Sequence, residues 1–188
     1  HLAAKISIVG DPDGSVHRTN VEGTRNMVEA AMRAGVGRFV YCASVHGFDH
    51  TTDNKVISET CVRVPYENTK YAAYDRSKAH AEATVRSYLD KGLDAVIVHP
   101  SGVIGPHDYR PSRMGKVFLD LHRGSLPALV SGGYDFVDAR DVSVAIAAAA
   151  EKGRKGESYI LSGHHAPVAQ LASIAAGITG RPSPRISC

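Results

Sequence analysis

Apolar and polar positions repeat along this chain with two different periods, and the periods take turns. Over residues 18–34, "RTNVEGTRNMVEAAMRA", Val21, Val28, Ala31 and Met32 recur at helical spacing behind a cap at Thr19 or Asn20, and Gly35 stops the run. "RFVYCAS" at 38–44 is a continuous apolar stretch too short for a helix, and it predicts a buried strand. After a polar stretch at 45–73 the pattern predicts a helix over about 71–91, ending before Gly92, and a second buried strand, "LDAVIVH", at 93–99. "PSGVIGPHDYRPSRMG" at 100–115 reads as a Gly/Pro-rich loop. A short helix at 116–124, a helix at 139–153, a strand at 157–163 and a helix at 167–180 complete the chain.

Unbroken apolar strands separated by helices imply βαβ units, hence an α/β fold with a parallel sheet covered on both faces. In such sheets ligands sit beyond the carboxyl ends of the strands. Ser44, closing one strand, and Pro100 to Val103, following the next, therefore mark where a site is expected.

Composition narrows the picture. At 188 residues the chain suits one domain with a sizeable core, and 43% hydrophobic with 22% charged residues is the balance of a soluble globular protein. The net charge of +3 comes from scattered lysines and arginines, so no nucleic-acid or anionic-membrane footprint forms. The longest apolar run, "AIAAAA" at 145–150, falls far short of the roughly 20 residues of a membrane span. Cys42, Cys61 and Cys188 share no paired spacing, which points to a reducing cytoplasm, with Cys42 as a small buried residue. His46, His50, His107, His164 and His165 fall in predicted loops without common ligand spacing, so no metal is expected. His107 and Tyr109 remain candidate substrate contacts.

"YDRSK" at 74–78 carries the candidate chemistry. On a helical projection Tyr74, Ala81, Val85, Tyr88 and Leu89 share one face, whereas Asp75, Arg76, Glu82, Arg86 and Asp90 lie elsewhere. Lys78 falls within the apolar face, where an ammonium must be paired, desolvated or directed into a ligand site. A cation one turn from a phenol favours phenolate and tunes the pair for proton transfer near neutrality. The same two residues also fit a core tyrosine with a lysine snorkelling past it to water. The helix alone leaves both readings open.

"HLAA" at 1–4, "NVEGTRNMVEAA" at 20–31, "RFVYCAS" at 38–44, "YDRSKAHAE" at 74–82, "HPSGVIGP" at 99–106 and "YDFVDARDVSVAI" at 134–146 stand in order at suitable spacing. Together they resemble the extended short-chain dehydrogenase/reductase superfamily, the NAD-dependent epimerase/dehydratase group, and within it the dihydroflavonol reductase and 3β-hydroxysteroid dehydrogenase branch. The resemblance implies a Rossmann-type doubly wound parallel sheet and NAD or NADP as cofactor. It implies Tyr74 as general acid/base, Lys78 as the lysine that lowers the tyrosine pKa and bonds the nicotinamide ribose, and Ser44 as the donor to the substrate oxygen. Ala3 and Ala4 correspond to backbone lying against the cofactor, and Pro100, Ser101, Gly102 and Val103 to the segment beside the nicotinamide. Asn20, Arg140 and Asp141 correspond to structural landmarks.

The family's first strands and glycine-rich phosphate loop have no counterpart in this sequence. The expectation is a partial Rossmann domain over 1–188, with part of a substrate-binding region at about 104–135 and 163–188, belonging to a longer working protein. The implied activity is hydride transfer to or from a carbonyl or hydroxyl carbon of a small organic substrate. The alternatives are an epimerase or dehydratase, or a dinucleotide-sensing regulator without chemistry on the same fold. The expected partners are a small-molecule substrate and a second copy in a homodimer, with no nucleic acid and no membrane.

Overall fold

The helical period that opens the chain begins earlier than its polar cap suggests. In the computed structural model, where residues 1–7, 10–49 and 56–184 are described, α1 (Ser15–His17), a π-helical turn (Arg18–Glu22) and α2 (Gly23–Arg33) form one continuous run. Thr19 and Asn20 are thus not caps. The π turn rotates Asn20 and Val21 inward, and Asn20 is spent on tertiary bonds. Its amide donates to Lys5 O (2.9 Å) and Ser77 Oγ (2.8 Å), while its carbonyl accepts from Lys5 N (2.7 Å).

Strand β1 (Phe39–Cys42), a 3-10 turn (Val45–Gly47), helix α3 (Ala73–Arg86) and strand β2 (Ala95–Pro100) follow. Then come β3 (Gly102–Ile104), α4 (Arg113–Arg123), β4 (Gly133–Asp138), α5 (Ala139–Lys152), β5 (Ser158–Leu161), β6 (His164–Pro167) and α6 (Val168–Thr179). His50 and Cys188 lie outside the described residues.

The chain divides into two units, His1–Ser101 with Ser143–Leu161, and Gly102–Val142 with Ser162 onward. In the first, β1, β2 and β5 form a parallel sheet with β2 in the centre, Phe39 opposite Ala95 and Ile97 opposite Ser158. Strand pleating sends alternate residues to opposite faces. Phe39, Tyr41, Ala95 and Ile97 meet Val28 and Ala31 of α2 and Ala81 and Val85 of α3, whereas Val96 and Val98 meet Ile146 and Ala149. Both faces are covered, which is why these strands read as unbroken apolar runs.

Glu82, which helical spacing sets off the apolar face of α3, is buried all the same. It is 1% exposed and bound by Arg63 through Nε and Nη2 (both 2.9 Å) and by Arg86 Nε (2.9 Å). Arg86 goes on to Gly156 O and Ser158 Oγ, so one carboxylate ties the segment before α3, α3 itself and β5 together.

The second unit holds a sheet that the hydrophobic pattern does not reveal. β3 pairs parallel with β4, and β4 antiparallel with β6. The predicted loop at 100–115 therefore contains a strand, and His164 and His165 lie in β6 rather than in a loop. These strands are short and half-exposed, so they lack the apolar runs by which the first sheet announces itself. Its core joins Leu121 of α4, Leu129, and Val168 and Ala172 of α6.

Candidate active site

Ser44 stands just beyond the carboxyl end of β1, and its extended backbone starts the 3-10 turn that α3 packs against. Its Oγ accepts the His46 N–H at 3.2 Å and stands on the side of the Tyr74 phenol, whose acidity it favours. Tyr74 is the second residue of α3, so helix geometry sets Lys78 one turn further on. Lys78 is 4% exposed. Its Nζ donates to Cys42 O at 2.7 Å and lies 5.2 Å from the centroid of the Tyr41 ring. Ser44, Tyr74 and Lys78 are thus brought together at one end of β1.

The electrostatics differ from those expected for the pair. Burial pushes the Lys78 amine down to about 8 from 10.5, and burial pushes the Cys42 thiol up. Tyr74 is also held above its ordinary value, first by burial, with Cys42 and Asp75 adding and the Ser44 hydrogen bond opposing. Lys78 is not among the groups that shift the phenol. Side-chain roots one turn apart come within reach, but the lysine's long stem carries its charge to the Cys42 carbonyl instead.

Beyond β2, Pro100 is buried and closes the strand, and the Ser101 N–H donates to Leu161 O. The buried Ser101 Oγ has no partner among the described residues. Gly102 and Val103 open β3 in the second unit, where a Cβ on Gly102 would sit 2.8 Å from Asp135 O, so only glycine fits beside β4. Ala3 and Ala4 are exposed, next to Lys5, whose backbone is pinned by Asn20.

Lys78 and Ser101, both in the first unit, are the residues that could hold a nicotinamide ribose. An ammonium carries three donors, and Lys78 gives one to Cys42, leaving two for hydroxyl partners. The orphaned Ser101 hydroxyl offers another polar contact.

Two further side chains, His46 and Asp75, stand beside Tyr74. His46 Nδ1 lies 3.1 Å from Asp75 Oδ1, and the His46 ring meets the Tyr74 ring edge-on at 5.9 Å between centroids. Asp75 reads from sequence as an ordinary acidic residue in a helix's first turn; only the fold of the 3-10 turn gives it an imidazole. Arg140 binds Asp138 through Nη2, Nε and its backbone N–H, a local clasp at the start of α5.

Comparison with known proteins agrees with this architecture. The "sterol demethylase protein B" of Methylococcus capsulatus is 36% identical over 187 residues, covering 100% of this chain and 56% of that protein. A "putative dihydroflavonol 4-reductase" of Synechocystis is 33% identical over 189 residues, covering 98% and 54%. The chain thus spans about half the length of the curated relatives it matches. The crystal structure of DesIV, a dTDP-glucose 4,6-dehydratase from Streptomyces venezuelae with NAD and TYD bound, superposes with a TM-score of 0.81 at 26% identity, covering 97% of this chain and 57% of that one. The fold is accordingly a Rossmann-like α/β fold. The model of the "NAD dependent epimerase/dehydratase family" matches residues 1–162, and the chain belongs to that family.

Proposed function

We propose that the protein containing this chain is a nicotinamide-dependent reductase acting on a carbonyl carbon of a small organic substrate, with NAD or NADP as cofactor. The observation that carries the reading is the convergence of Ser44, Tyr74 and the buried Lys78 amine at the carboxyl end of β1, with Lys78 one helical turn from the phenol and bound to Cys42 O. Relatives named as reductase and as NAD-bound dehydratase support the cofactor class. The bound nicotinamide supplies hydride to the substrate carbon.

Tyr74 Oη delivers the proton that the resulting alkoxide oxygen needs. A phenol held above its ordinary value is fully protonated at neutral pH, so Tyr74 is poised as a proton donor, which favours the reducing direction. Ser44 Oγ, already directed at the phenol, donates to the same substrate oxygen and fixes it for transfer. Lys78 would hold the ribose hydroxyls with its two remaining donors, and Ser101 Oγ would face the nicotinamide end.

Relatives named dTDP-D-glucose 4,6-dehydratase, 32% identical over 159 residues in mouse, support a second reading in which cofactor is oxidised and reduced within one turnover. Net consumption of reduced cofactor separates the two. The Tyr74→Phe variant is expected to lose turnover by 100-fold or more, on the order of a general acid's contribution, with cofactor affinity retained. Unchanged turnover across a panel of ketones and aldehydes would sink the acid role.

A further inference from the structure

His99 is the fifth of six residues in β2 and is fully buried, a polar ring in a strand otherwise made of alanine, valine, isoleucine and a closing proline. It stands where the ladder between β1 and β2 stops. The register closes with Cys42 opposite Val98 and the Ala43 N–H on Val98 O at 2.8 Å, and Pro100 has no N–H to carry it further. Ser44 therefore lies just past the paired backbone. Its carbonyl accepts the Gly47 N–H at 3.0 Å from its own turn, and from β2 it accepts a side chain, His99 Nδ1, at 3.3 Å. A carbonyl only accepts, so Nδ1 carries the proton and, in a neutral ring, Nε2 is the acceptor. Nε2 faces Ser158 Oγ at 3.2 Å, and that oxygen takes Arg86 Nη2 at 2.7 Å, which leaves its own hydrogen for the imidazole. Glu82 Oε2 stands further off at 3.7 Å and is held by Arg63 Nε. Burial keeps the imidazole below its ordinary value, so it is uncharged at neutral pH. Phe48 packs against the ring at 4.7 Å between centroids.

We propose that His99 is a positioning residue for Ser44: its Nδ1–H ties the Ser44 carbonyl to β2 and so fixes the backbone from which the serine hydroxyl is aimed at the substrate oxygen. The inference rests on the role proposed for Ser44 in the reductase. A hydrocarbon at position 99 would fill the same interior but leave Ser44 O to its own three-residue turn, with no tie to the sheet. Misplacing a reacting group by about 1 Å costs on the order of 100-fold in rate.

Two amides separate this bond from general packing. Asparagine sets its amide nitrogen near the position of Nδ1, and glutamine near that of Nε2. His99→Asn therefore keeps a donor for Ser44 O and gives up Ser158, and His99→Gln does the reverse. In the full-length protein with cofactor, His99→Gln is expected to lower kcat by about 10- to 100-fold with the cofactor KM unchanged, and His99→Asn to restore most of it. In the Ser44→Ala background His99→Gln should cost nothing further, because both act through one hydroxyl. Equal losses of kcat in the two amide variants, or losses that multiply with Ser44→Ala, would overturn the proposal. The parent protein gives a check that needs no variant to fold. With nitrogen-15 histidine, the His99 ring should show a proton on Nδ1 and none on Nε2, and the opposite tautomer overturns the proposal. The Ser44 carbonyl carbon-13 resonance should shift in His99→Gln and return in His99→Asn. If it does so while Ser44→Ala leaves turnover intact, His99 fixes Ser44 but the proposed function fails instead.

Discussion

Lys78 shows why a single side chain can be worth its cost in stability. Its amine is nearly inaccessible, and burial lowers it to about 8 from 10.5. Between those two values the unfolded chain holds a proton that the folded chain has released. Stability therefore rises with pH across the window from about 8 to 10.5, and the penalty is present in full below it. Lys78→Met keeps the length and packs as an apolar group, though the Cys42 carbonyl loses its donor. The variant is expected to be more stable by about 1–2 kcal/mol at pH 7, with the alkaline rise abolished and activity lost. Denaturant titrations at pH 7 and pH 10 measure both effects, and an unchanged alkaline rise in Lys78→Met would assign it to another group. Tyr74, Lys78 and Ser44 were legible in the sequence because helix period and strand ends fix where they must stand. The acidity of Tyr74 was not, because it depends first on how far the fold buries the phenol, with Cys42 from another element adding to the rise.

At the level of elements, α3 is held by a buried charge rather than by its apolar stripe alone. Burial pushes the Glu82 carboxyl up, but Arg63, His99 and Arg86 outweigh it, and the group sits below its ordinary value. Stability from this carboxylate is then present above the ordinary glutamate range and is lost as pH falls through its lowered folded value. Glu82→Gln leaves two arginines facing one neutral amide. It is expected to cost about 3–5 kcal/mol, whereas replacing an exposed carboxylate such as Glu151 should change stability little. A loss for Glu82→Gln no larger than for Glu151→Gln, read from urea midpoints, would show that the network is not stabilising. Helical spacing sets Glu82 off the apolar face and says nothing of its burial, because helix period counts only α3's own residues. Arg63, which makes the burial tolerable, arrives from a segment without periodicity. The same reason hid β3, β4 and β6: half-exposed strands of three to six residues carry no alternation strong enough to outcompete their glycines and prolines.

Across the whole molecule the two units differ in how their cores are built. The first sheet buries Ala95, Val96, Ile97, Val98 and His99 completely and packs helices on both faces. The second unit's core rests on Leu121, Leu129, Val168 and Ala172, with Val117, Phe118 and Leu126 only partly buried against it. Local opening free energy follows buried apolar contact, so the second unit should open below the global unfolding limit while β2 exchanges only on global unfolding. Native-state hydrogen exchange at increasing urea is expected to show amides of α4 and α6 merging into a lower isotherm than those of β1 and β2. Leu121→Ala, which removes a branched side chain from the smaller core, should lower that isotherm by about 2–3 kcal/mol and the β2 isotherm with it, because global unfolding includes opening of the second unit. Ile97→Val, in the larger core, should lower the β2 isotherm alone by about 1 kcal/mol. Isotherms that merge at one free energy and move together in both variants would mean that the chain unfolds as a single cooperative body.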